Sequence, residues 1–153
     1  RMTMKVNEEL IRSLVEKVLA ETSWQKPAQS ESGGCGFEKT VDPSGVLSVR
    51  VPTVRLEPFE GRDDVRLKDV ATLEEAPRIG CGIMELRDGA DFEWTLTYDE
   101  WDVVLEGRLE IRIDGRTVGG DAGDVLYIPR GSHIHFTTPQ YAKFAYTVFP
   151  ADW

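Results

Sequence analysis

Glu100 and Asp102 stand two residues apart in a β-prone stretch of the sequence. On a strand, residues at that spacing share a face, so both carboxylates look the same way. Two neighbouring carboxylates raise each other's pKa or hold a hard divalent cation through oxygen; the plainer alternative is a salt bridge for each. These two are the expected catalytic residues. Thr95, Thr97, Tyr98 and Tyr127 place hydroxyls in the same region and are expected to line a pocket with them, whereas Asp99 faces away. His133 and His135 flank Ile134. If Ile134 points inward, strand alternation turns both imidazoles outward; a slip of one residue reverses that. No metal ligand is assigned.

The elements that must position these groups are strands. Val46–Val51, Ile79–Leu86, Trp101–Leu105, Leu109–Ile113, Val125–Ile128, Ile134–Phe136 and Phe144–Phe149 are short β-prone runs. Asp88-Gly89, Glu106-Gly107, Asp114-Gly115, Gly119-Gly120 and Gly123-Asp124 punctuate them. Many short strands with glycine-rich turns predict an all-β sandwich or barrel over residues 46–153. Asp114-Gly115, set between two alternating runs, is a strong hairpin signal. Ahead of the strands, Val6, Leu10, Ile11, Leu14, Val15, Val18 and Leu19 recur at helical spacing and predict an amphipathic helix within residues 1–21. Small, polar and breaker residues over 22–45 predict a linker.

Composition sets limits. The 153 residues suffice for one core, and a net charge of −9 argues against nucleic acid or an anionic membrane as partner. An anionic substrate then needs a local basic group or a metal ion. Cys35 and Cys81 are not spaced as metal ligands, and no apolar run reaches the roughly 20 residues of a membrane span. With no secretory signal visible, reduced thiols in a cytoplasm are expected.

Two stretches carry a resemblance. Glu100-x6-Gly107, preceded by Gly89, and Gly123-x5-Pro129-x-Gly131-x2-Ile134 resemble the two cupin motifs, which implies a double-stranded β-barrel of jelly-roll type. The histidines of those motifs are missing: their positions hold Glu93 and Thr95 (or Trp94 and Leu96) and Ile134. No tightly bound transition metal is therefore expected, since imidazole is what holds one. Within the cupins, Trp94-Thr-Leu-Thr-Tyr-Asp-Glu100 and Pro150-Ala-Asp-Trp153 are similar to the EutQ family of ethanolamine utilisation proteins. That resemblance implies a bacterial microcompartment protein with acetate kinase activity: acetyl phosphate and ADP in exchange for acetate and ATP, with Mg²⁺. It also implies that residues 5–21 dock on shell or cargo proteins. A homodimer is expected from the habit of small cupins to pair. No G-x4-G-K-[ST] phosphate loop is present; Gly34-Cys-Gly-Phe-Glu-Lys39-Thr40 has the wrong spacing. Arg130 or Lys143 could partner the phosphates. A non-enzymatic scaffold and a metal-independent small-ligand cupin remain the alternatives.

Overall fold

The computed structural model describes residues 36–153. The helix expected in 1–21, the docking segment 5–21 and most of the expected linker lie outside the described residues. Eleven strands follow: β1 (Lys39–Val41), β2 (Leu47–Val49), β3 (Glu57–Phe59), β4 (Arg62–Asp69), β5 (Gly80–Leu86), β6 (Asp91–Thr95), β7 (Asp99–Ile113), β8 (Arg116–Asp121), β9 (Val125–Ile128), β10 (His133–Thr137) and β11 (Ala142–Phe149). Among the described residues, no helix is long and apolar enough to cross a membrane.

Strand β7 organises the barrel. Its first part pairs with β11 and β9, in a sheet that continues through β5, β4 and β3. Its second part pairs with β8 and β10, and β10 leads on to β6. One strand thus serves two antiparallel sheets, and all pairings are antiparallel, as a jelly roll requires. The parity of β7 changes on the way. Glu100, Asp102 and Val104 point inward, and then Leu109 and Ile111 do. The switch is a bulge: Lys143 pairs with Glu106 but Phe144 with Val104, leaving Leu105 without a partner. A single extra residue turns every later side chain to the other face and bends the strand.

Gly107 completes this corner. Its φ is +71°, and a Cβ there would overlap the carbonyl oxygen of Tyr141. That oxygen also accepts the Arg108 N–H at 3.0 Å, so it cannot yield without breaking the turn. Gly107→Ala is expected to cost about 3 kcal/mol of stability, read as a lower urea midpoint with an unchanged slope.

The barrel interior holds Leu86, Leu96, Leu109, Ile134 and Phe144, each essentially without solvent contact. Burial of each such side chain stabilises the fold by about 1.5–3 kcal/mol. Strand β5 is covered on both sides. Met84 and Leu86 join the barrel core, while Ile83 joins Phe37 and Val70 in a smaller cluster outside.

Several expectations are met and some are corrected. The Asp114-Gly115 hairpin forms with both residues at positive φ, joining β7 to β8. The end of the expected linker is a hairpin: β1 pairs with β2 around Asp42–Gly45, where Asp42 accepts the backbone N–H groups of Ser44 and Gly45 at 2.8 Å. Breaker residues there make a tight turn between strands. Gly119-Gly120 and Glu106-Gly107, read as turns, lie inside β8 and β7. Strands β3, β4 and β6 were not anticipated: β3 contains Pro58, and β4 and β6 carry only two apolar side chains each among charged and polar ones.

Candidate functional site

The barrel encloses a cavity of about 230 Å³ whose walls include Phe59, Phe92, Trp94, Tyr98, Phe136 and Trp153. The rings meet one another. Phe59 and Phe92 each stand with ring centroids 5.5 Å from Trp94, and Trp153 lies 4.7 Å from Tyr98 and 6.0 Å from Trp94. The polar lining is Glu100, Asp69 and the hydroxyls of Tyr98 and Tyr146. Tyr146 donates to Asp69 at 2.6 Å, and the Trp94 indole N–H donates to the Tyr98 oxygen at 2.9 Å. Burial, and then the nearby Glu100 charge, push the Tyr98 phenol far up; burial and Asp69 do the same to Tyr146. Among the described residues, no lysine, arginine or histidine lines this cavity.

Glu100 and Asp102 share the inner face of β7, as their spacing requires. Glu100 is 4% exposed and Asp102 is 0% exposed. Neither Asp102 oxygen has a donor among the described residues. A buried carboxylate without donors is costly, and its remedy here is a proton. Burial raises the Asp102 pKa well above the usual range, and the neighbouring Glu100 charge raises it further. Burial also raises Glu100. Both carboxyls are thus pushed toward the protonated form, Asp102 the more strongly, and the two titrate as a pair.

The other expected residues separate. Tyr98 lines the cavity. Thr95 and Thr97 are exposed and do not, because Thr95 follows Asp91 and Glu93 on the outer face of β6. Tyr127 also points outward and donates to Asp99 at 2.8 Å. His133 and His135 lie outside, since Ile134 is inward; His133 meets Glu93 and His135 meets Asp91, both at 2.6 Å. Lys143 faces Glu106 at 3.9 Å, and neither it nor Arg130 lines the cavity. Among the described residues, no three His, Cys, Asp or Glu side chains are placed to hold a metal ion.

A second, open groove of about 610 Å³ lies on the far side of Asp69, Val148 and Trp153, which line both spaces. Lys39 and Lys68 line it, with Asp69 and Asp152 as its carboxylates. Thr72 and Glu75 brace its rim by reciprocal side-chain-to-backbone hydrogen bonds of 2.9 and 3.2 Å, the pattern of a capping box. Glu75 also takes Lys39 at 2.7 Å, and the Lys39 ammonium donates to the Val70 carbonyl at 3.2 Å. Lys68 meets Glu57 at 3.2 Å. Each ammonium has three donors, so Lys39 keeps one free and Lys68 two. Sequence reading missed this groove: Lys39 fell in the expected linker and Lys68 in an unanticipated strand.

A sequence profile described as "Ethanolamine utilisation protein EutQ" matches residues 6–153. The chain is 41% identical to "Acetate kinase EutQ" of Clostridioides difficile, over 97% of this chain and 94% of that one. Two longer relatives of the same name, from Salmonella typhimurium and Escherichia coli, are matched at 39% and 37% identity, with 95% of this chain but only 63% and 62% of their own lengths covered. The structure of the Clostridium difficile EutQ protein superposes with a TM-score of 0.71 at 44% identity, covering 77% of this chain and 98% of that one. The Schizosaccharomyces pombe Cnp3 cupin domain, at 17% identity, superposes with a TM-score of 0.58 over 69% of this chain and 74% of that one, and so shares the fold.

Proposed function

The chain belongs to the EutQ family of ethanolamine utilisation proteins, with a cupin barrel, and from that membership we propose that it is an acetate kinase. The observation that carries this reading is the near full-length match to a relative bearing that name. In the reaction, a terminal oxygen of ADP attacks the phosphorus of acetyl phosphate. The bond from phosphorus to the acetyl oxygen breaks, its electron pair leaves on acetate, and ATP is formed.

Such a transfer is mainly positioning and charge neutralisation around phosphate oxygens. The groove with Lys39 and Lys68 supports that task; its volume falls within the roughly 300–1,000 Å³ of small-molecule sites. Mg²⁺ would arrive with the nucleotide as part of the substrate. Asp69 and Asp152 offer the carboxylate oxygens that this ion takes. Glu100 and Asp102, expected to be catalytic, do not line the groove; Glu100 lines the cavity, where we propose a part in binding for it, and Asp102 lies fully buried beside it. Purified chain with Mg²⁺, ADP and acetyl phosphate is expected to form ATP, followed by luciferase luminescence. A folded chain that forms none ends the kinase reading.

The proposal extends to a homodimer. Trp101, Val103 and Leu105 on β7 with Val125 and Tyr127 on β9 form an exposed apolar face, Trp101 being 52% exposed. Trp101 pairs with Tyr127 and Val103 with Val125, so the patch is continuous. A face of this kind is what two-fold packing covers. Sedimentation is expected to give a dimer, and Trp101→Glu a monomer with unchanged circular dichroism.

A further inference from the structure

We propose that the barrel cavity is a binding site for a small primary ammonium compound, adjoining the groove of the phosphate-bearing substrates across their shared wall of Asp69, Val148 and Trp153. Its lining is composed for a cation. Two carboxylates, Asp69 and Glu100, reach it, and among the described residues no basic side chain does. Glu100 is 4% exposed, and a cation in the cavity would give this buried carboxyl the ionic partner that the described residues do not supply.

The hydrogen-bond inventory points the same way. The Tyr146 hydrogen is committed to Asp69 and the Trp94 N–H to Tyr98, so the Tyr98 hydroxyl hydrogen is the one uncommitted donor among these groups. Both tyrosine oxygens and both carboxylates keep lone pairs for a ligand. An alkylammonium brings three donors and no acceptor, which suits that set. An anion such as acetate would meet two carboxylates of its own sign.

The rings add a second attraction. Phe59, Phe92, Trp94, Tyr98 and Trp153 line the space, and aromatic rings can draw a cation. The guanidinium of Arg62 sits 5.8 Å from the Phe92 ring but does not line the cavity; it is held by Asp64 at 2.6 Å. Size sets the ligand class. At about 230 Å³ the cavity is smaller than the roughly 300–1,000 Å³ of drug-sized sites, so a molecule of few heavy atoms fits.

Calorimetric titration tests this with ethanolamine as the cationic probe, ethylene glycol as its uncharged counterpart and acetate as the anion. No nucleotide or acetyl phosphate is present, so the outcome does not depend on the kinase reading. Ethanolamine is expected to bind at least tenfold more tightly than either comparator. Glu100→Gln is expected to weaken it at least tenfold, and Asp69→Asn, a change at an exposed position, severalfold. Trp94 and Trp153 provide a parallel fluorescence signal. Equal binding of ethylene glycol, preference for acetate, no saturation by ethanolamine at tens of millimolar, or ethanolamine affinity unchanged in both folded variants would each overturn the proposal.

Discussion

Asp102→Asn is expected to make the protein more stable than its parent at pH 8 and to flatten the pH dependence of stability above pH 4. Asp102 is fully buried beside Glu100 without a donor to either oxygen, and its folded pKa lies well above its ordinary 3.8. The folded state therefore binds the proton more tightly than the unfolded chain. Stability due to that proton is fully present below about pH 4. It falls as pH rises toward the folded pKa, by about 1.4 kcal/mol for each pH unit while only the folded state holds the proton. Asparagine keeps the shape and donates an N–H to Glu100 with no proton to lose, so that slope disappears. Urea midpoints measured from pH 4 to pH 9 check this. A parent whose midpoint does not decline over that range would show that the pair shares no proton.

Lys68→Glu is expected to lower kcat/KM for ADP by about 10–100-fold, the worth of one charge-assisted phosphate hydrogen bond at roughly 1.5–3 kcal/mol. Lys68 keeps two free donors and its partner Glu57 is exposed, so the substitution leaves the core untouched. The effect should sit on catalysis and nucleotide KM while the urea midpoint stays within experimental error. Lys39→Met is expected to match it in kinetics but also to destabilise, because Lys39 ties β1 to Glu75 and Val70. Unchanged kinetics in a folded Lys68→Glu protein would remove the groove from the reaction.

What the sequence made legible follows from how local each signal is. The turn residues Asp114-Gly115, Gly123 and Gly131 need positive φ, a backbone property carried by residue type, and all lie there. Glu100 and Asp102 could be placed together because two residues on one strand share a face. Thr95 and Tyr127 could not be excluded from the pocket on the same logic, since which parity faces inward depends on the neighbouring strand. The bulge at Leu105 is invisible locally, because its cause is the register of β11. The groove was hidden for a related reason. Lys39 and Lys68 are far apart in sequence and line one groove only because the chain just before β1 packs Phe37 against Val70 and Ile83. The failed phosphate-loop match at Gly34–Lys39 contained one of the two cations all the same, on a strand and not in a loop.

The shared strand β7 has a mechanical consequence. Fraying of β8 or β9 opens an edge, whereas parting β7 from its neighbours dissolves both sheets together. The carboxylate pair and the Arg112 end of the strand therefore lie in one unfolding unit. Amides of residues 102–111 should exchange with solvent only through global opening. A ligand that settles against Glu100 would then slow exchange across the whole barrel, including strands it never touches.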